Sequence, residues 1–106
     1  MKQSIKFEIE LDENNLPLNI AMKASEEVEN ESNLKAIMLS AWAATTKETL
    51  RIDLWTKDMP VNEMFIMYHQ TLIGMASTLE RATGQDKLAD ALRDYCAFFA
   101  EQTKIK

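Results

Sequence analysis

The sequence predicts an α+β fold, in which a mainly antiparallel sheet of three to four strands packs against two long C-terminal α-helices. Two patterns predict it. Apolar and polar residues alternate in several segments before Pro60, which is typical of strands. After Pro60 the apolar residues recur every three or four positions, which is typical of helices. Because the chain has 106 residues, 46% of them hydrophobic, we expect a single domain over residues 1–106.

The first two strands are expected to form an antiparallel hairpin. Apolar residues alternate with polar ones over residues 5–11 and 16–22, on either side of the polar run 12–15. Pro17 has no N–H to donate, so the second strand should begin there or lie at an edge. The polar, acidic segment 25–33 is expected to be a connection with one helical turn near its end.

The segment 34–44 has two competing interpretations. Its alanine, leucine and methionine residues favour a helix, which would leave three strands in the sheet. We prefer a second hairpin, in which strands 36–44 and 48–56 are joined by residues 45–47. In that register Trp42 lies opposite Leu50.

Trp55 is the centre of the first candidate binding surface. If Leu50, Ile52 and Leu54 face the core, strand alternation turns Trp55 outward. The predicted register also sets Ile37 opposite Trp55. Apolar side chains on an otherwise charged face often mark a binding surface. The candidate partner surface therefore consists of Trp55, Arg51, Asp53, Ile37 and Leu39.

Two helices are expected in the C-terminal half. The first should span residues 60–83 and continue through Gly74, because burial of five apolar turns outweighs the roughly 1 kcal/mol that a helical glycine costs. Gly84 suits the left-handed end of this helix, and Asp86 can cap the next. The second helix should bury Leu88, Leu92, Tyr95, Cys96 and Phe99. A second candidate surface lies off the main stripe of the first helix and consists of Ile66, Met67 and Ile73.

No residue pattern indicates an enzyme, a cofactor or a metal site. His69 is the only histidine and has no cysteine or second histidine three or four positions away. Cys96 is the only cysteine, and on an apolar stripe it is expected to act as a small buried hydrophobe. With only two glycines, the chain has no glycine-rich phosphate loop.

Charge and hydropathy exclude other classes of function. The net charge of −5 argues against nucleic-acid binding, which needs clustered basic residues. No apolar run approaches the roughly 20 residues that a membrane span needs, so no membrane insertion is expected. The N-terminal residues lack the apolar core of a signal peptide, and the expected location is the cytoplasm.

Several runs together resemble a known family. They are TLRIDLWTKDMPVNEM (49–64), HQTL (69–72) and ERATGQDKLADALRDYCAFFAE (80–101), with the opening IKFEIELDENNLP (5–17). These runs resemble the gliding-motility-associated protein GldC family of Bacteroidetes. The resemblance implies a small soluble cytoplasmic protein that assists gliding, and it implies no catalytic or ligand residues.

Two hypotheses about function follow. The leading one is a non-enzymatic accessory or adaptor protein that acts through protein–protein contacts, with partners in the gliding machinery or as a homo-oligomer. The alternative is a small-molecule or peptide-binding module with a pocket between the sheet and the helices.

Overall fold

The structure, a computed structural model, describes residues 1–24 and 31–105. These residues form five strands followed by two helices, so the predicted α+β class is confirmed. The expected single sheet of three to four strands is wrong, because the described strands form two antiparallel sheets, one of three strands and one of two. The chain divides into two compact units, Met1–Met59 and Pro60–Lys106, which are described in turn. That residues 1–106 form a single domain stays a prediction.

The first sheet has three antiparallel strands, β1 (Ile5–Leu11), β2 (Pro17–Ala24) and β3 (Glu31–Leu34), with β2 in the centre. The predicted first hairpin is therefore confirmed, and β2 begins at Pro17. Ile20 on β2 lies opposite Ile9 on β1 and Leu34 on β3, and its side chain is fully buried. The core of this sheet is therefore centred on the middle strand.

Strand β3 corrects the interpretation of segment 25–33 as a connection. Residues 25–30 lie outside the described residues, but residues 31–33 belong to a strand, so the expected helical turn is wrong there. The reason is non-local, because the free edge of β2 offers hydrogen-bonding groups to these residues.

The second sheet is a hairpin of β4 (Ala36–Ala43) and β5 (Glu48–Trp55). The preferred hairpin is confirmed, and the helical interpretation of 34–44 is wrong, because strand pairing overrides local helix propensity here. The predicted register is wrong by one residue. Trp42 lies opposite Thr49 rather than Leu50, because the turn contains four residues, 44–47, rather than three.

A polar cluster just after β5 fixes the start of β4. The Thr56 N–H donates to the Lys35 carbonyl oxygen at 2.8 Å and continues the hairpin ladder. The Thr56 hydroxyl, which is buried, donates to Asp58 Oδ1 at 2.7 Å, and Lys35 Nζ contacts Asp58 Oδ2 at 2.7 Å. The Lys35 ammonium, and then the Thr56 hydroxyl, hold the pKa of Asp58 below its usual range.

Lys57 joins the end of β5 to the first hairpin. Its N–H donates to the Pro17 carbonyl oxygen at 3.1 Å, and its Nζ contacts Asp12 Oδ2 at 2.8 Å. The other carboxylate oxygen of Asp12 accepts the N–H groups of Asn14 and Leu16. The hydrogen bond from Lys57, followed by that from Leu16, lowers the pKa of Asp12 from 3.8 to about 2. Residues 56–58 are therefore a structural junction within the first unit.

This junction predicts a loss of stability in acid. Because the pKa of Asp12 is lower in the folded chain than in the unfolded chain, its contribution is present above pH 3.8 and is lost as the pH falls towards about 2. Urea unfolding between pH 5 and pH 2 should show a falling free energy of unfolding. Asp12→Asn and Lys57→Met should both reduce this decrease in the free energy of unfolding between pH 5 and pH 2.

Glu13→Gln is the control for net charge, because it removes a negative charge from the same turn without touching the Lys57 contact. If this variant flattened the pH dependence as much as Asp12→Asn, the specific role of Asp12 would be wrong.

The second unit consists of helices α1 (Val61–Thr83) and α2 (Asp86–Thr103). Helix α1 continues through Gly74, so the prediction of one long helix is confirmed. Gly84 ends it in the left-handed conformation with φ 72°, as predicted, and donates its N–H to the Glu80 carbonyl oxygen. The expected cap at Asp86 is wrong, because Gln85 precedes the helix and Asp86 is its first residue. There its carboxylate still faces the positive end of the helix dipole.

Small side chains form the contact between α1 and α2. The buried residues are Ala76, Ala89, Cys96 and Ala100. Phe99 contacts Phe65 edge to face, with ring centroids 6.2 Å apart. Because the small residues occupy the contact, Leu88 and Tyr95, which were expected to be buried, are exposed. Leu92 and Phe99, also expected to be buried, are half-buried.

The burial of Cys96, with 2% of its surface exposed, is confirmed and predicts slow labelling. A thiol reagent should modify the native chain at least about 100-fold more slowly than the urea-unfolded chain, because the sulfur is reached only when the helices open. Labelling followed by mass spectrometry measures both rates. Equal rates would show that the helical pair opens freely.

Candidate protein-binding surface

The β4–β5 hairpin has two chemically different faces. Directly opposed residues share a face, and successive residues alternate between faces. The observed register places Met38 opposite Asp53 and Trp42 opposite Thr49, on the face that carries Arg51 and Trp55. We call this face the tryptophan surface and define it by Met38, Trp42, Arg51, Asp53 and Trp55.

Two predicted members of the first candidate surface lie on the opposite face. Ile37 pairs with Leu54, and Leu39 pairs with Ile52, so neither accompanies Trp55. A register error of one residue moves every side chain of a strand to the other face, which is the physical reason for this correction. The aliphatic surface is therefore defined by Ile37, Leu39, Leu50, Ile52 and Leu54.

The tryptophan surface is exposed at both ends. Trp42 has 65% of its surface exposed and Trp55 has 57%. Six residue steps separate their positions along the hairpin, about 20 Å at the usual strand rise of ~3.3 Å. Between them, Arg51 Nη2 contacts both carboxylate oxygens of Asp53, at 3.0 and 3.1 Å. The prediction that Trp55 points away from Leu50, Ile52 and Leu54 is confirmed by the alternation.

The aliphatic surface is less covered than expected. Leu50 and Ile52 were expected to face the core, yet their exposed fractions are 58% and 51%. Leu54, next to the junction at Thr56, is half-buried. The core role predicted for these three alternating residues is therefore limited to the junction end of β5.

Only two of the three residues of the second candidate surface lie on the same face of α1. Ile66 and Ile73 are seven positions apart on α1, share one face and are exposed. Met67 is half-buried and points about 100° away from Ile66. Ile66 and Ile73 thus form a pair without Met67.

A groove of about 570 Å³ lies along the helical unit beside Ile73. Its walls include His69 from α1, and Arg93, Ala97 and Glu101 from α2. His69 is half-buried, with its ring stacked 6.5 Å from that of Phe99. Arg93 Nη2 contacts Glu80 Oε1 at 2.6 Å, and this pair raises the pKa of Arg93.

A comparison with known protein families identifies the family of this chain. Residues 17–105, from the first residue of β2 past the end of α2, match the family described as "Gliding motility-associated protein GldC-like". The chain belongs to the GldC-like family. No curated protein and no solved structure matches this GldC-like chain.

Within the described part of this GldC-like chain, no group of three or more histidine, cysteine or acidic residues could hold a metal ion. The described helices also include none that is both long and apolar enough to cross a bilayer. Whether either candidate surface binds a partner stays a prediction.

Sequence reasoning missed Trp42 and Met38 as neighbours of Arg51 and Asp53 on one face. No residue of the turn signalled the register, because its left-handed position holds neither glycine nor asparagine. In the structure, Lys47 takes the left-handed conformation at the fourth position of a longer turn, and its N–H donates to the Ala43 carbonyl oxygen.

Proposed function

We propose that this GldC-like chain is a non-enzymatic accessory or adaptor protein of gliding motility, and that it acts in the cytoplasm by binding a protein partner at the tryptophan surface. Family membership supplies the association with gliding motility. One observation carries the rest of the proposal: Trp42 and Trp55 lie on one sheet face with more than half of each side chain exposed.

The chemistry of this surface suits a protein partner. Tryptophan is among the residues most enriched at interface hot spots, because it combines a large apolar area with one N–H donor. Met38 lies between the tryptophans, where a flexible thioether can adapt to a partner's shape. The ion pair of Arg51 and Asp53 supplies polar contacts at the centre. A partner would therefore need two apolar anchor sites about 20 Å apart.

The titratable groups support binding rather than catalysis. An active site brings groups with shifted pKa values together in a cleft. Among the described residues, the lowered pKa of Glu8 is due first to its hydrogen bond with Lys23. The shifts at Asp12 and Asp58 are due first to hydrogen bonds with Lys57 and Lys35 at the junction after β5, and the shift at Arg93 is due first to its hydrogen bond with Glu80. Each shift thus has an ion-pair partner, which is typical of structural contacts.

Colony spreading of the source bacterium tests this function. A strain that lacks the chain should regain gliding when it expresses the wild-type chain, but not when it expresses Trp42→Ala/Trp55→Ala at the same level. Val61→Ala is the matched control, because it truncates an exposed apolar side chain in the helical unit. Full gliding by the double variant would overturn the proposed role of the tryptophan surface.

One observation favours the alternative of a peptide- or small-molecule-binding module. The groove beside Ile73 is large enough for a short peptide side chain or a small ligand and is walled by both apolar and charged residues. Ala97→Trp would fill it. If this variant abolished gliding while Trp42→Ala/Trp55→Ala did not, the groove would replace the tryptophan surface as the functional site.

A further inference from the structure

The outer edge of β5 lacks three of the usual protections of an edge strand, although it carries the charged residues Glu48, Arg51 and Asp53. Among the described residues, β5 pairs only with β4. Exposed edges are usually blunted by proline, lysine or a bulge. The eight residues of β5 contain no proline and no lysine, and the β4–β5 register runs without a shift. The edge strand β1, by contrast, contains Lys6 and has a register shift after Glu10.

The sequence of β5 is complementary to itself about Ile52. Its neighbours one step away are Arg51 and Asp53, which have opposite charges, and its neighbours two steps away are Leu50 and Leu54, which are both aliphatic. In an antiparallel pair centred on Ile52, each Arg51 would lie opposite Asp53 of the second copy. Each Leu50 would lie opposite Leu54 of the second copy.

We propose that two copies of this chain pair antiparallel through β5, with the two-fold axis at Ile52, to form a four-stranded sheet. Two opposite-charge pairs then lie on one face and a row of leucine and isoleucine on the other, and both arrangements stabilise cross-strand pairing. A two-fold axis requires a self-complementary strand, which this charge order supplies.

Space beside the strand is compatible with this partner. A cavity of about 210 Å³ is lined by Asp53, Leu54 and Trp55 of β5 and by Leu16 and Pro17. In the proposed register, Thr49 of the second copy would enter there opposite Trp55. Pairing through β5 does not depend on the proposed function. The dimer would carry two tryptophan surfaces, one from each copy.

Charge reversal tests the pairing. Arg51→Asp and Asp53→Arg each place like charges opposite one another twice, so each should raise the dimer dissociation constant at least about tenfold in sedimentation experiments. An equimolar mixture of the two variants should form a heterodimer, because every reversed charge then meets its opposite. Recovery on mixing also shows that the variants are folded.

A cysteine scan tests the register. Ile52→Cys should form a disulfide-linked dimer under mild oxidation, since residues opposite one another in antiparallel strands have Cα atoms about 4.5–5.5 Å apart. Leu50→Cys, which would face Leu54 of the second copy, is the matched control and should not. A monomeric wild-type chain at ~100 μM, or a dimer unaffected by both charge reversals, would overturn the proposal. Such a result would leave the proposed function intact, because that is measured by gliding.

Discussion

Replacing Ile20 by alanine is expected to lower the free energy of unfolding by about 2–5 kcal/mol. Ile20 lies on the central strand of the first sheet, between Ile9 and Leu34, and none of its surface is exposed. Truncation removes apolar burial and leaves a cavity that the neighbouring strands cannot close. Since small domains are stable by only about 5–15 kcal/mol, this is a large fraction of the total.

Urea unfolding followed by circular dichroism measures this loss. Ile5→Ala is the matched control on the neighbouring edge strand β1, where 67% of the isoleucine is exposed, and it should cost less than about 1 kcal/mol. Equal losses for the two variants would mean that the first sheet has no core at Ile20.

Truncation of both tryptophans is expected to weaken the affinity for the protein partner by at least about 30-fold. This follows from a hot-spot contribution of about 2 kcal/mol or more. Because Trp42 and Trp55 are largely exposed, Trp42→Ala/Trp55→Ala should leave the urea midpoint close to that of the wild-type chain. The affinity is measured by surface capture of the partner once cross-linking has identified it.

Leu39→Ala is the control for this experiment, because Leu39 lies on β4 but on the aliphatic surface. It should leave the affinity within about twofold. If Leu39→Ala weakened binding more than the double tryptophan variant, the binding face of the hairpin would be the aliphatic one.

Elements with a clear period were predictable from the sequence. The alternation in residues 5–11 and 16–22 placed the first hairpin, and the three- and four-residue spacing placed α1 from Val61 to Thr83. In these segments the local pattern predicts the type of element, although apolar residues of β1 such as Ile5 and Leu11 remain exposed. Strand β3 could not be predicted this way, because its four residues, ESNL, have no apolar alternation and become a strand only beside β2.

The candidate site depended on a register that the sequence determines only weakly. Both faces of β4 carry apolar residues, such as Leu39 on one and Trp42 on the other. A register shift of one residue therefore still leaves apolar residues on both faces. It nevertheless changes which residues of the two strands share a face. The length of the turn decided the register. Lys47 takes the left-handed conformation in this turn, and the position lacks the glycine or asparagine that would have indicated it. Trp55 was placed correctly because it depends on alternation within one strand.

The central claim, that this GldC-like protein acts by protein contacts at the tryptophan surface, is tested most directly by site-specific photo-cross-linking in gliding cells. A photo-reactive amino acid would replace either Ser40, which lies opposite Arg51 on the tryptophan surface, or Ala41, which lies opposite Leu50 on the aliphatic surface. Both positions are exposed and adjacent, so only the face differs. We expect a covalent adduct with one protein partner from position 40 and none from position 41. Adducts from position 41 alone, or from neither position, would contradict the claim.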